Sequence, residues 1–225
     1  MLNPPNMKKI FWCNNCLNMS TRPRIEFDSK GICNACNWSV EKKSFDWSKR
    51  ETELFEILKK FKGKDQSKFD CIVPVSGGKD GSYVAYTLKK KYGLNPLAVT
   101  VRPPLTLDIG DQNLKNFIDS GFNHIHVSPH YEVMRLLNKQ GFIEKGFPYY
   151  GWLIAIKTSV IQIAIKFNIP LIFYGEDGEV EYGGTDKTSQ KSLFNIDYIK
   201  NVYLEAGYES VLNLFEDIDE SSLYF

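Results

Sequence analysis

Little in this chain is extreme, and each shortfall removes a class of function. Lysines and arginines number 28 against 27 aspartates and glutamates, a formal net charge of +1. No global field therefore draws in nucleic acid or an anionic membrane, and no dense basic patch replaces one, so a nucleic-acid partner is not expected. The opening MLNPPNMKKIFWC lacks an apolar stretch of signal-peptide length. Met7 would itself serve as a start, which makes residues 1–6 an expected extension, within an N-terminal segment taken as residues 1–9. The most apolar segment, GWLIAIKTSVIQIAIKF, is interrupted by Lys157 and Lys166. It is too short and too charged to enter a bilayer as a span, so no membrane insertion and a cytoplasmic location are expected. Internal repeats and low-complexity tracts are absent. So are two phosphate-binding patterns, G-x-x-x-x-G-K-[ST] and G-x-G-x-x-G.

The cysteines are few but patterned. Four of the five form two C-x2-C pairs, Cys13/Cys16 and Cys33/Cys36, sixteen residues apart. That spacing matches a zinc ribbon over about residues 10–40. Each pair is expected to turn as a knuckle, with backbone N–H groups aimed at the sulfurs and Gly31 easing the second turn. Four thiolates close a tetrahedral Zn2+ site and leave no open position, so the expected metal is structural. Cys71 lies in an apolar run and reads as a core residue.

Beyond the ribbon, Leu54, Phe55, Leu58 and Phe61 recur at helical spacing in a linker over residues 41–68. Strands are then expected at 71–75, 96–101, 124–127 and 170–175. Helices are expected at about 80–91, around 111–121, near 132–141 and at 152–167, with Gly93 as a candidate helix stop. This alternation predicts an α/β domain over residues 69–185, with a Rossmann-like parallel sheet, helices on both faces and ligands at the carboxyl ends of the strands. Residues 186–225 read as a helical tail.

The most informative stretch is CIVPVSGGKDGSYVAYTLKK, residues 71–90. An apolar strand stops at Ser76, Gly77, Gly78, Lys79 and Asp80, and a helical pattern follows. The glycines permit a sharp turn and close approach to a ligand, and the helix start offers unpaired N–H groups suited to phosphate. Ser76, Ser82 and Lys79 add donors. Asp80 would repel phosphate unless a cation lies between them, which points to Mg2+ and ATP. The run SGGKDGS after a buried strand resembles the SGG-x-D-S loop of the PP-loop ATP pyrophosphatases, with Gly81 standing where that pattern prefers serine. The resemblance implies an adenine nucleotide alpha hydrolase type of fold and cleavage of ATP to AMP and pyrophosphate.

The order of CNNCLNMSTRPRIEFDSKGICNACNW, the SGGKDGS turn and NIPLIFYGEDGEVEYGG is similar to that in the N-acetyl sugar amidotransferases, over nearly the whole chain. That family's C-terminal part is usually longer than residues 186–225. The resemblance implies conversion of the acetamido group of a nucleotide-linked sugar to an acetamidino group through an adenylated intermediate. Its setting would be surface-polysaccharide (lipopolysaccharide O-antigen) or flagellin-glycan synthesis. No Cys–His–Glu constellation of a glutaminase is present, so ammonia is implied to come from glutaminase and barrel subunits like those of imidazole glycerol phosphate synthase. Rival readings are a PP-loop tRNA thiolase and a truncated, inactive ATP-binding scaffold.

Other candidates are weaker in pattern. Glu176, Asp177, Glu179 and Glu181 crowd one loop after the fourth strand, an arrangement that repulsion disfavours without a cation or donor. Glu176 and Glu181 are the expected contacts to Mg2+ or substrate. An adenine pocket is expected at Val99, Thr100, Val101 and Arg102, with Gly110 and Asn113 nearby. His124, His126 and His130 read as surface or satisfied core residues, and FPYYGW (147–152) as either a stacking surface or core.

Overall fold

The computed structural model describes residues 9–22, 24–63, 68–176 and 196–204. They divide into two compact units, the first ending at Glu53 and the second beginning at Leu54.

In the second unit, β1 (Cys71–Pro74), β2 (Pro96–Val101) and β3 (Asn123–Val127) form a parallel sheet in that order. Cys71 lies opposite Pro96, and Leu97 opposite Asn123. Burial of β1 and β2 on both faces explains why they read as unbroken apolar runs. The edge strand β3 exposes Asn123 and His126 while burying Val127.

The period of two divides the core. Ile72, Leu97, Val99 and Val101 face Met134 of α5 (Tyr131–Lys145) and Ala155, Val160, Ile163 and Ala164 of α6 (Tyr150–Lys166). Cys71, Val73, Val75 and Ala98 face Ala85 and Leu88 of α3 (Lys79–Lys90) and Phe117 of α4 (Asp108–Asp119). Leu58, near the end of α2 (Trp47–Phe61), joins this second cluster. The result is an α/β fold with helices on both faces of a parallel sheet, as the alternation of patterns predicts.

The fourth strand is smaller than expected. Over 170–175 a single parallel bridge joins Ile172 to Ile72, carried by Ile72 N–H to Leu171 O and Phe173 N–H to Ile72 O, each 2.9 Å. Its side chains still alternate, Leu171 and Phe173 toward α3 and Ile172 and Tyr174 toward α6. The bridge places this segment on the side of β1 away from β2. The chain thus runs outward from β1 to β3 and returns across β1, and such a reversal opens a crevice at the carboxyl ends of the strands.

In the first unit, antiparallel bridges join Trp12 to Met19 and Phe27 to Cys33. Helix α1 (Asn34–Glu41) follows. It begins between the second pair of cysteines, so Cys36 sits in a first helical turn rather than in a second free knuckle. Residues 196–204 are one helical turn and a π turn. They are tied to α6 by the buried Tyr150 hydroxyl, which donates to Leu204 O at 2.8 Å. The expected helix over ESVLNLFEDI lies outside the described residues. Among those described, no helix is long and apolar enough to cross a membrane.

Candidate functional site

At the crevice, the chain leaves β1 through Val75, whose N–H donates to Val99 O at 2.9 Å. Gly77 then takes a left-handed conformation, φ +81°, and a Cβ there would meet Gly110 O at 2.8 Å and Leu114 N at 2.9 Å. Only glycine lets the turn lie this close to the first turns of α4. Gly78 is extended and caps α3 without a side-chain acceptor. Orphan N–H groups and the positive end of the helix dipole are thereby left for an anion.

The side chains of the turn are arranged around that opening. Ser76 Oγ accepts from Gly78 N–H at 3.4 Å, and Ser82 Oγ donates to Gly78 O at 2.7 Å. Lys79 Nζ holds both oxygens of Asp80, at 2.6 and 2.8 Å, with 87% and 36% of the two side chains exposed. So exposed a pair adds little stability and can exchange partners when a charged ligand arrives.

Gly81, the departure from the SGG-x-D-S pattern, has a steric cause. A Cβ at this position would meet Pro74 O at 2.5 Å and Val75 Cα at 3.2 Å. The segment after Ile172 then crosses the same place. A Cβ on Gly175 would meet Gly81 N at 2.5 Å and Asp80 C at 2.8 Å. Two glycines thus bring the exit of the fourth segment into backbone contact with the first turn of α3. Gly175 shows no periodic pattern and was not expected; only its partnership with Gly81 explains it.

Behind the turn, Thr100 Oγ1 donates to Val75 O at 2.7 Å. Its one proton is spent there, so the 2.8 Å contact with His124 Nε2 requires the imidazole to donate. Burial, then the neighbouring His126, holds the His124 pKa below its ordinary value. The two rings share a face of β3, 6.0 Å apart. His130 instead caps α5, its Nδ1 accepting from Val133 N–H at 3.5 Å.

Other expected positions are placed as follows. Val99 and Val101 are buried in the core, and their carbonyls accept from Val75 N–H and from Trp152 Nε1. Arg102 N–H donates to Val127 O at 2.8 Å. Much of the backbone of 99–102 is therefore committed within the domain. Gly110 abuts Gly77, while Asn113 is exposed on α4. Glu176 is exposed directly after Gly175; Asp177, Glu179 and Glu181 lie outside the described residues. Within FPYYGW, Tyr150 is fully buried and serves the core.

The four cysteines of the first unit converge, their Sγ atoms all within 4.8 Å of one another. Cys16 and Cys33 lie 3.6 Å apart, and Cys13 and Cys36 4.0 Å. A tetrahedral ion at about 2.3 Å from each sulfur needs sulfurs about 3.8 Å apart, so the set fits Zn2+. The N–H groups of Asn15 and Cys33 donate to Cys13 Sγ, and Asn15 Nδ2 to Cys36 Sγ. Burial pushes the Cys13 thiol up, but the N–H groups of Asn15, Cys16 and Cys33 outweigh it and bring the pKa to about 6. For Cys36 the Asn15 amide lowers the pKa, yet burial and the other three thiols together push it up to about 12. Gly31, φ +72°, forms the turn before Cys33, and Asp28 Oδ1 braces it by accepting from Lys30 and Ile32 N–H.

A buried charge also lies on α6. Lys157 of α6 is 9% exposed, with Nζ 4.3 Å from the centroid of the Tyr174 ring. Its signal was present as a lysine inside an apolar helix, read there only as a break in hydrophobicity.

Fold and turn together define an α/β domain with a glycine-rich strand-to-helix turn at the point where its sheet reverses. No family model matches the chain. An uncharacterised protein of Methanocaldococcus jannaschii is 33% identical over 129 residues, 56% of this chain and 42% of that protein. The chain thus spans about two fifths of that relative's length. Among solved structures, an NH3-dependent NAD synthetase from Campylobacter jejuni is similar at 18% identity and a TM-score of 0.46, over 77% of this chain and 80% of its own. A predicted subunit of tRNA methyltransferase from Methanocaldococcus jannaschii is similar at 18% identity and a TM-score of 0.36, over 64% and 71%. At such similarity the fold assignment stands on the topology of this chain itself.

Proposed function

We propose that the chain is an ATP-dependent, AMP-forming enzyme that binds the β and γ phosphates of ATP at the turn of residues 76–82. The observation that carries this reading is the turn itself: orphan N–H groups at the start of α3, Lys79 and Asp80 beside them, all at the reversal point of the sheet. On phosphate binding Lys79 exchanges Asp80 for a phosphate oxygen. Asp80 is the residue to hold Mg2+, which would neutralise charge on the phosphates. Glu176, at the crossing beside Asp80, adds to the acidic side; Glu181, outside the described residues, is the other expected acidic contact.

The acceptor in this reading is the acetamido group of a nucleotide-linked sugar. Its carbonyl oxygen attacks the α phosphorus and pyrophosphate leaves. Ammonia adds to the resulting imidate carbon, the C–O bond breaks, and AMP departs with that oxygen. Protons lost by the nitrogen pass to solvent, and an amidine remains. Glutaminase and barrel partner subunits supply the ammonia, and lipopolysaccharide or flagellin-glycan synthesis uses the product. Alignment of reactants and charge neutralisation provide most of the rate. A tRNA thiolase is the rival. Against it, Cys71 is fully buried with its thiol pushed up to about 12 by burial and by Asp70, and the other four cysteines form one cluster. No sulfur carrier is left near the turn among the described residues.

Mass spectrometry after incubation with ATP, Mg2+, ammonium and a panel of nucleotide-linked N-acetyl sugars tests the proposal. A product in which NH replaces O, formed with stoichiometric AMP and pyrophosphate, supports it. AMP release with tRNA but with no sugar would give the assignment to the thiolase.

A further inference from the structure

The turn of residues 76–82 contains two adjacent glycines, and glycine brings no rigidity of its own. What holds Ser76, Gly77 and Gly78 in shape for an anion must come from their surroundings. On one side this is the backbone of α4, where Gly77 lies against Gly110 O and Leu114 N. At the entrance to the turn it is a chain of side-chain hydrogen bonds that starts on the edge strand β3.

His124 Nε2–H donates to Thr100 Oγ1 at 2.8 Å, and the Thr100 hydroxyl donates to Val75 O at 2.7 Å. Thr100 is buried, so water competes little for that hydroxyl. A valine, as at positions 99 and 101, would fill the same place on β2 without any bond to the turn. A buried polar chain of this kind stiffens the point where it ends. It ends at the first peptide of the turn. That peptide, Val75–Ser76, is planar and trans, so fixing Val75 O also fixes the direction of Ser76 N–H. Val75 N–H is held too, by Val99 O at 2.9 Å. Ser76 Oγ then accepts from Gly78 N–H at 3.4 Å, at the cap of α3. A continuous path thus runs from β3 to the start of the helix.

We propose that Thr100, steadied by His124, is a positioning residue for phosphate binding: it orients the Val75–Ser76 peptide and, through it, the glycine turn. It acts through that peptide rather than on the ligand. The inference rests on the reading of the turn as a phosphate site and adds what keeps that site in shape. Donors fixed beforehand lose less freedom when an anion arrives, so the restraint is read out as affinity.

Calorimetric titration of the full chain with Mg·ATP and with Mg·pyrophosphate, beside thermal melts, tests this in wild type, Thr100→Val, Thr100→Ser and His124→Phe. Ile163→Val, a core truncation on α6, serves as the stability control. Thr100→Val is expected to weaken both ligands about three- to tenfold, and Thr100→Ser, which keeps the hydroxyl, to restore them. His124→Phe should weaken both by a smaller factor, and Ile163→Val should leave both affinities unchanged. Thr100→Val that melts lower yet binds as wild type does overturns the proposal, because the hydroxyl is then structural only. Equal weakening in Ile163→Val overturns it too, and so does a serine variant that restores nothing. If Thr100→Val does not fold, His124→Phe decides, and wild-type affinity in that variant sinks the proposal. A wild-type chain that binds neither ligand removes the reading of the turn itself, and this inference with it.

Discussion

A single Cβ decides what residue 81 can be. Gly81→Ala or Gly81→Ser would place that atom 2.5 Å from Pro74 O and 3.2 Å from Val75 Cα. Neither obstacle is a flexible side-chain end, so the backbone must shift, at about 1–3 kcal/mol. The expected outcome is a lower urea midpoint for both variants and no gain in ATP affinity from the serine. A serine variant that binds ATP more tightly at unchanged stability would disprove the steric account. His124 sets a second residue-scale expectation. Its folded pKa lies below the ordinary 6.5, so the native state binds fewer protons there than the unfolded chain. Stability from this group is complete above pH 6.5 and declines as pH falls toward the folded pKa. Urea midpoints taken across pH 8 to 5 should drop on the acid side, and His124→Asn should flatten that drop. Such residue-scale facts were only partly legible. SGGKD suggests a chemistry through residue types at fixed positions, whereas Gly175 matters through a partner about a hundred residues away in sequence.

Elements were read well wherever local pattern decided them. PLAVTV is β2 to the residue because an unbroken apolar run suits a strand buried on both faces, and α3 lies within one residue of its expected span because its apolar period and the preceding glycines agree. The misses fall where pairing or a cluster outranks local pattern. The fourth segment has the composition of a strand but pairs through one bridge, and α1 begins inside a cysteine pair that spacing alone describes as a knuckle. A further element is secured by one hydroxyl. Tyr150, fully buried, crosses from α6 to Leu204 O and anchors residues 196–204. Tyr150→Phe removes that donor, leaves a buried carbonyl unsatisfied, and should cost about 1–3 kcal/mol. Amide exchange should accelerate in 196–204 while β1 and β2 stay protected. Equal acceleration throughout the domain would mean that the hydroxyl supports the core as a whole.

At the scale of the whole molecule, the two compact units differ in what holds them. The second rests on two apolar clusters, one on each face of the sheet. Among its described residues, the first buries little besides Cys13, Cys33, Cys36 and Trp38, and two isolated bridges join its extended segments. A segment so poor in core would depend on a metal held by its four cysteines, because ligand binding free energy is then folding free energy. Proton competition sharpens this dependence: Cys36 holds its proton to about 12 in the free cluster, so the ion must displace it. The purified chain should therefore carry one zinc, released by a strong chelator and released more readily as pH falls. After chelation, amide exchange should rise sharply over 9–53 while the sheet of the second unit keeps its protection and its far-ultraviolet dichroism. Cys33→Ser should reproduce the chelated state without chelator. Retained protection of 9–53 in the metal-free chain would show instead that hydrogen bonds to the sulfurs, together with the Trp38–Phe45–Trp47 aromatic contacts, suffice to hold the unit.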